Sequence, residues 1–422
     1  MLFWVSSFVI KPELNMTDKK EKSKYAFGRT GFLPQEEMLE IGKKKQKLVI
    51  GIPKENKKYE SRVGLTPEAV EILVNNGHEV IIEKGAGAAA NYTDNDYSEN
   101  GAQIVDNKAE VFQGDIILKI APPTIEEIEL FKTKQVLLSS LHFPSQSEEY
   151  IRKLMQKKVT AISFEGLKDR NDCYPVVRSM SEIAGTASII IAADYLSNMH
   201  DGKGVLLGGI SGITPTEVVI LGAGTAGEYA ARAAIGLGAF IKVFDYSVSN
   251  LRRLQANLSD RLFTSVFHPR VMKKHLKSAD VVIGAMHFGD KSPQFLITEE
   301  MVKEMKKGAV IIDLSIDQGG CVETSECRTH SDPVYTKHGV IHYCVPNIAS
   351  GIARTASIAL SNVFNPILLS VADAGGVQKQ LKGDIGLRHG VYIYNGILTN
   401  ERIGNHFGIP SKDIDLLTAA FG

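Results

Sequence analysis

The chain has 422 residues, 44% of them hydrophobic and 23% charged, which is ample apolar material for two buried cores. Its 48 Lys and Arg balance 48 Asp and Glu, and a formal net charge of zero gives no reason to expect a nucleic-acid or anionic-membrane partner. The four cysteines, Cys173, Cys321, Cys327 and Cys344, form neither a CxxC pair nor a ligand set, which argues against a disulfide framework or a metal site and for a reducing compartment such as the cytoplasm.

Residues 1–45 read as an N-terminal arm. Leu2 to Ile10 is apolar but lacks the positive flank and small-residue cleavage pattern of a signal peptide. Polar residues follow, with Met16 as a candidate start of translation, a solvated charge run from Asp18 to Lys24, and a short helix expected over 35–41. No uninterrupted apolar run reaches the ~18 to 20 residues of a membrane span. From Lys47 the pattern alternates strand and helix. Lys47–Ile52 reads as a buried strand, and Thr66-Pro67-Glu68 opens a helix with a capping Thr, Pro in its first turn and an acid at the positive end of its dipole. Ala69, Ile72 and Leu73 form the expected apolar stripe, and Gly77 ends the helix. Further strands are expected at Glu79–Glu83, Ile116–Ile120, Val136–Ser139 and Val159–Ser163. An Ala- and Ile-rich helix over Glu182–Met199 leads to a second unit. Its strands are Glu217–Leu221, Phe240–Phe244, Leu262–Phe267, Asp280–Ala285, Ala309–Leu314 and Ile341–Val345. A long apolar helix, Thr355–Val371, follows, and the polar end of the chain is expected to return to the first unit. Strands separated by helix-length crossovers imply α/β architecture with largely parallel sheets.

The most informative motif is Gly222-Ala223-Gly224-Thr225-Ala226-Gly227. Alone, a GxGxxG match is weak; here it lies between the strand EVVIL and an Ala-rich helix. Gly222 permits the tight turn, Gly224 lets backbone approach a pyrophosphate, and Gly227 lets helix pack on strand. The free N–H groups and dipole at the helix N-terminus then hold the phosphates. Asp245 closes the next strand, 18 residues after Gly227. A carboxylate there accepts from ribose hydroxyls and repels a 2′-phosphate, so the expected cofactor is NAD rather than NADP.

Polar residues at the carboxyl ends of parallel strands are candidates for function. Lys119 ends DIILK, His142 follows VLLSSL, Asp317 follows IIDLSI, and Arg62 lies in the loop after the first strand. Amino acid oxidation needs such a set: a guanidinium to fork a carboxylate, a second cation, and groups that move protons near neutrality. The same residues also suit a solvated strand-end lysine, a structural histidine and a turn-forming aspartate. Cys321 beside Gly320, and with it Cys173 and Cys344, read as packed side chains rather than reactive thiols.

Five blocks in order, GIPKENKKYESRVGLTPEAVEIL, GHEVIIEKGAG, MSEIAG, VVILGAGTAGEYAARAAIGLGA and IDLSIDQGGC, closely resemble the alanine dehydrogenase family, itself similar to the alpha subunit of proton-translocating transhydrogenase. The likeness runs from about Lys47 to Thr418. It implies two Rossmann-like doubly wound domains, with an NAD-binding domain (177–353) inserted into a discontinuous substrate domain (46–176 and 354–422) and two long helices crossing the cleft. It further implies reversible, NAD-dependent deamination of L-alanine to pyruvate and ammonium by a hexamer. By that resemblance Arg62 and Lys119 bind the substrate carboxylate or carbonyl, and His142 and Asp317 are the acid/base pair. Ser181, Gly222, Ala223, Gly224, Thr225, Ala226, Gly227, Asp245 and Asn347 would line the cofactor and substrate cleft, with Glu60 supporting Arg62. Three segments depart from the family pattern. Ser140-Leu141-His142-Phe143-Pro144 stands where the family reads like YLHLA, Phe288–Pro293 where it has IPGAKAP, and Pro346-Asn347-Ile348-Ala349 where it has ANMP. They bear on the amino-acid side-chain pocket more than on hydride chemistry. Rival readings are a transhydrogenase-type NAD(H) subunit, a saccharopine dehydrogenase-like activity, and an NAD-binding regulator without catalysis.

Overall fold

The computed structural model describes residues 46–142, 146–200, 202–258, 262–287 and 295–420. The N-terminal arm with Met16 and the helix expected at 35–41, Phe143-Pro144, and the Phe288–Pro293 segment lie outside them.

In chain order the first strands are β1 (Val49–Ile52), β2 (Glu79–Glu83), β3 (Gln103–Val105), β4 (Ile116–Leu118), β5 (Val136–Ser139) and β6 (Thr160–Ser163). A second run follows: β7 (Glu217–Leu221), β8 (Phe240–Phe244), β9 (Phe263–Ser265), β10 (Val281–Gly284), β11 (Val310–Asp313), β12 (Val334–Lys337) and β13 (Val340–Tyr343). Two short strands, β14 (Val391–Tyr394) and β15 (Ile397–Leu398), close the chain. They assemble into two sheets, ordered β15-β14-β6-β5-β4-β1-β2-β3 and β12-β13-β11-β10-β7-β8-β9. Pairing is parallel throughout except for β14 on β6, β15 on β14, and β12 on β13. All eleven strands expected from the sequence form. The four that sequence patterning does not mark, β3, β12, β14 and β15, are short and lie at or beside sheet edges, where no continuous apolar run is required.

Both sheets are buried on two faces. Ile116 and Leu118 enter one core and Ile117 the opposite one, and in the second sheet Val218 and Ile220 face away from Val219 and Leu221. This two-sided burial is why the strands read as unbroken apolar runs. Removing each such Val or Ile from water contributes roughly 1.5–3 kcal/mol.

Four helices position the site: α1 (Pro67–Asn75), α2 (Pro175–Leu196), α3 (Thr225–Gly236) and α4 (Ala353–Ala374). Thr66 caps α1 as its sequence predicts, accepting from Ala69 N, and Gly77 follows in a left-handed conformation (φ 88°). The expected stripe needs one correction. Ile72 is exposed on the rim of a groove between α1 and α4, and Val70 takes the core position beside Ala69 and Leu73. Helix α2 begins seven residues before the expected start, with Pro175 in its first turn. Helices α2 and α4 have the length and apolar content of membrane spans, yet they pack against each other between the sheets, and half of the most apolar stretch of α4 is buried inside the protein. Helix α2 meets α3 so closely that a Cβ on Gly185 would lie 2.2 Å from Ala226 O.

Candidate functional site

In a parallel sheet the loops leaving the strand C-termini share one edge, so strand order fixes which loops are neighbours. Across the first sheet, the order β6-β5-β4-β1 lines up Glu165, His142, Lys119 and the Glu55–Arg62 loop. Across the second, the order β13-β11-β10-β7-β8 lines up Asn347, Asp317, Met286, the Gly222–Gly227 turn and Asp245. The two edges meet: Asn347 Nδ2 donates to Glu60 Oε2 (2.8 Å), Ser61 N donates to Ser350 Oγ (2.8 Å), and the charge of His142 is felt by Asp317.

The Arg62 loop is held from behind by serines. Ser350 Oγ accepts from Ser61 N, Ser357 Oγ from Val63 N (2.9 Å), and Ser361 Oγ from Thr66 N (2.8 Å), the last two projecting from α4. Glu60 grips Arg62 by its side edge: Nε donates to Oε1 (2.8 Å) and Nη2 to Oε2 (2.6 Å), while Oε1 also accepts Arg62 N (2.9 Å). Among the described residues, the far edge of the guanidinium meets the sulfur of Met180 on α2, 3.2 Å from Nη1. A thioether is a weak acceptor, so a carboxylate can displace it and take two parallel N–H bonds. Burial alone would raise the pKa of Glu60, but Arg62 and Asn347 together hold it below the usual carboxylate range.

Lys119 is 4% exposed. Its Nζ donates to Glu55 Oε2, Glu55 Oε1 accepts from Ile120 N (2.6 Å), and Glu127 Oε2 lies 3.8 Å away. Desolvation raises the pKa of Glu55, Lys119 opposes the rise, and Glu60 adds to it. Because Glu55 bonds Lys119 and feels Glu60, the two cations belong to one buried network, each neutralised by its own carboxylate. Such pairing offsets the large cost of burying a charge.

Beside it, strand β5 continues to His142. Ser140 N donates to Ile120 O (3.1 Å), which keeps this segment next to Lys119. His142 adopts φ 36° and Asn347 φ 57°, left-handed conformations that cost non-glycine residues energy and are found at functional sites. The His142 side chain is 55% exposed, and its Nε2 lies 3.6 Å from Glu165 Oε1. That same oxygen accepts from Ser140 Oγ (2.9 Å). Asp317 opens to solvent within the cleft, but protein surrounds most of it and the loss of water raises its pKa; His142 counters this, and Glu165 reinforces it.

The glycine turn has the backbone geometry and helix packing that its spacing predicts. Gly222 has φ 106°, and a Cβ there would lie 2.3 Å from Ala285 O. A Cβ on Gly227 would lie 1.9 Å from Gly222 O, whereas one on Gly224 would meet nothing within 4 Å. Gly222 and Gly227 therefore serve packing, and Gly224 faces open space. Helix α3 starts at Thr225 with no side-chain cap, which leaves its first N–H groups for an anion. Asp245 Oδ2 accepts from Ala223 N and Oδ1 from Ser247 N, both at 2.7 Å, so it also braces the turn. Each oxygen keeps a second lone pair for a ribose hydroxyl. These features fit a dinucleotide. Ser181 lies half-buried on α2, one residue past Met180.

The alanine dehydrogenase/PNT N-terminal domain matches residues 51–184 and its C-terminal domain residues 188–401. The chain belongs to the alanine dehydrogenase/PNT family. Alanine dehydrogenase from Staphylococcus saprophyticus is 40% identical over 370 residues, covering 87% of this chain and 99% of that protein. Its counterpart from Staphylococcus epidermidis is 38% identical over 368 residues, covering 87% and 98%. Among solved structures, an L-alanine dehydrogenase superposes with a TM-score of 0.81 at 36% identity, covering 85% of this chain and 99% of that one. A transhydrogenase from Sinorhizobium meliloti shares the fold, with a TM-score of 0.71 at 23% identity over 84% and 99% of the chains. The family relationship implies a nicotinamide cofactor. Sequence reading of this family member missed Glu55, Glu127 and Glu165, which hold or face the candidate cations and histidine. A carboxylate two residues past the end of β6 is a strand-end signal that could have revealed Glu165. Ser140, two residues before His142, is 4% exposed and turned to Glu165.

Proposed function

We propose that the chain interconverts L-alanine, NAD⁺ and water with pyruvate, ammonium, NADH and a proton. The observation that carries this reading is the convergence of Arg62, Lys119, His142 and Asp317 on the mouth of a cleft whose glycine turn suits a dinucleotide. The far edge of Arg62, released from Met180, takes the substrate carboxylate, and Lys119 adds positive charge beside it. Their rigid support by Glu60, Glu55 and the Ser357 and Ser361 hydroxyls fixes Cα in the cleft. The bound nicotinamide supplies the acceptor for the Cα hydride. Asp317 and His142 then take a proton from the water that adds to the iminium carbon and return one to the departing amine. Asp245 favours an unphosphorylated ribose, hence NAD over NADP. All four cysteines are free, which suits a reducing compartment. The working form is an oligomer of this chain, a hexamer by family resemblance.

The test is NADH formation with a panel of amino acids, run with NAD and NADP side by side. L-Alanine with NAD should give the highest kcat/KM. A different preferred amino acid would retain the chemistry and reject the substrate, and binding of NADH without turnover on any amino acid would reject the enzyme.

A further inference from the structure

Strand β11 ends at Asp313, a carboxylate that is 1% exposed and takes no part in the proposed chemistry. Its Oδ1 accepts from Ser315 N (3.0 Å), and its Oδ2 accepts from Cys321 N (3.0 Å) and Ser325 Oγ (2.7 Å). The thiol of Cys321 adds a longer contact at 3.5 Å from Oδ1. All of these partners are neutral. A buried carboxylate whose donors among the described residues are all neutral is costly, and here burial raises its pKa against the pull of those four contacts.

The chain between the two backbone donors is the turn that carries Asp317. It leaves Asp313, makes one 3₁₀ turn over Ile316–Gln318, and reverses through Gly319 (φ 98°) and Gly320 (φ 82°), so that Cys321 returns to the carboxylate it started from. Gly320 N closes the loop on Ser315 O (2.9 Å). Ser315 Oγ donates to Met286 O (2.9 Å) and accepts from Met286 N (3.0 Å), which ties the turn to the segment leaving β10. Neighbouring positions leave room for nothing else. A Cβ on Gly284 would lie 2.4 Å from Cys321 Sγ and 2.8 Å from Asp313 Oδ1, and one on Gly320 would lie 2.9 Å from Asp313 Oδ2.

We propose that Asp313 is a positioning residue: by clamping both ends of the 315–321 loop it holds Asp317 in register with His142 across the cleft. The proposal rests on the reading of Asp317 and His142 as the acid/base pair. A carboxylate suits the task because its two oxygens accept several donors at once, whereas an amide of the same shape presents one oxygen and a competing N–H. Proton transfer tolerates little misplacement, and an error of about 1 Å can cost about 10²-fold in rate.

The test compares D313N, S325A and D317N in the full chain, measuring kcat, KM for L-alanine, NADH affinity by fluorescence, and melting temperature. For D313N the expected result is kcat lowered at least about tenfold, with KM and NADH affinity within about threefold of the parent. A D313N protein with parental kcat beside an inactive D317N overturns this proposal alone. So does a fall in kcat accompanied by a comparable rise in KM and loss of NADH affinity, which marks a general structural role. Parental turnover in D317N removes the acid/base reading and this proposal with it. Should D313N fail to fold, S325A decides: loss of one donor should lower kcat about two- to fivefold at constant KM, and an unchanged kcat overturns the clamp.

Discussion

Asp317 has a raised pKa because protein crowds its carboxylate and Glu165 faces it, against the opposing charge of His142. As the proposed base it must be ionised, so turnover should fall as pH drops through that raised value, and the acid limb of the kcat profile should lie above the ordinary aspartate value of about 3.9. Asp317→Asn removes the base at nearly constant shape and should lower kcat by about 10²- to 10⁴-fold, with little change in NADH binding. Steady-state kinetics from about pH 4 to 9 check both statements. At this scale the sequence supplied the candidate groups and, through the family resemblance, Glu60 as the support of Arg62, but not the carboxylates behind Lys119 and His142. Lys119, His142 and Asp317 each closely follow a strand and Arg62 lies in the loop after the first one, where pattern alone draws attention to them. Glu55 is 64 residues from the lysine it pairs with, and Asn347 is 287 from Glu60; nothing local marks such contacts.

At the scale of single elements the glycine turn separates packing from binding. Gly227→Ala drives a Cβ into Gly222 O and should lower the melting temperature and NADH affinity together. Gly224→Ala meets no protein atom, so the melting temperature should hold within a few degrees while NADH affinity falls by about tenfold or more. Thermal melts with and without NADH distinguish the two. The turn was legible because its chemistry is contiguous in sequence, whereas edge strand β12 was not. Its partner β13 carries His342, which is fully buried, stacked on Tyr335 of β12 and bonded to Thr324 Oγ1 (2.8 Å) and Val340 O (2.9 Å). Burial lowers its pKa to about 4. Since the folded value lies below the unfolded one of about 6.5, the unfolded chain binds the extra proton first. Stability is therefore full above about pH 6.5 and declines as pH falls toward 4, by about 2 kcal/mol at pH 5 from this group. Urea denaturation at pH 7 and pH 5 should show that loss, and His342→Gln should flatten it even if the variant starts from lower stability.

Across the whole molecule, the order of parallel strands converts scattered polar residues into two facing edges, and this is why an α/β pattern with a glycine turn already implied where the site would be. The surface away from those edges poses a different question. The segment entering β7 exposes Met199 (86%), Leu206 (68%), Ile210 (55%) and Ile213 (64%). It packs on the end of α3, where Gly209 N donates to Leu237 O (3.3 Å) and Phe240 N donates to Thr216 O (2.8 Å), and there Leu237 and Phe240 are also about half exposed. Neighbouring large apolar side chains at this density are uncommon on a monomer and characteristic of a subunit interface. A closed oligomer of this chain would cover them, so the protein should sediment well above its 46.1 kDa chain mass at micromolar concentration. Leu206→Asp combined with Ile213→Asp places charge in that interface and should shift the species toward monomer, because an unpaired carboxylate would then have to be buried in each contact. Analytical ultracentrifugation of both proteins checks this. A parent chain that sediments as a monomer, or a doubly substituted chain with unchanged assembly, would show that this face does not join subunits.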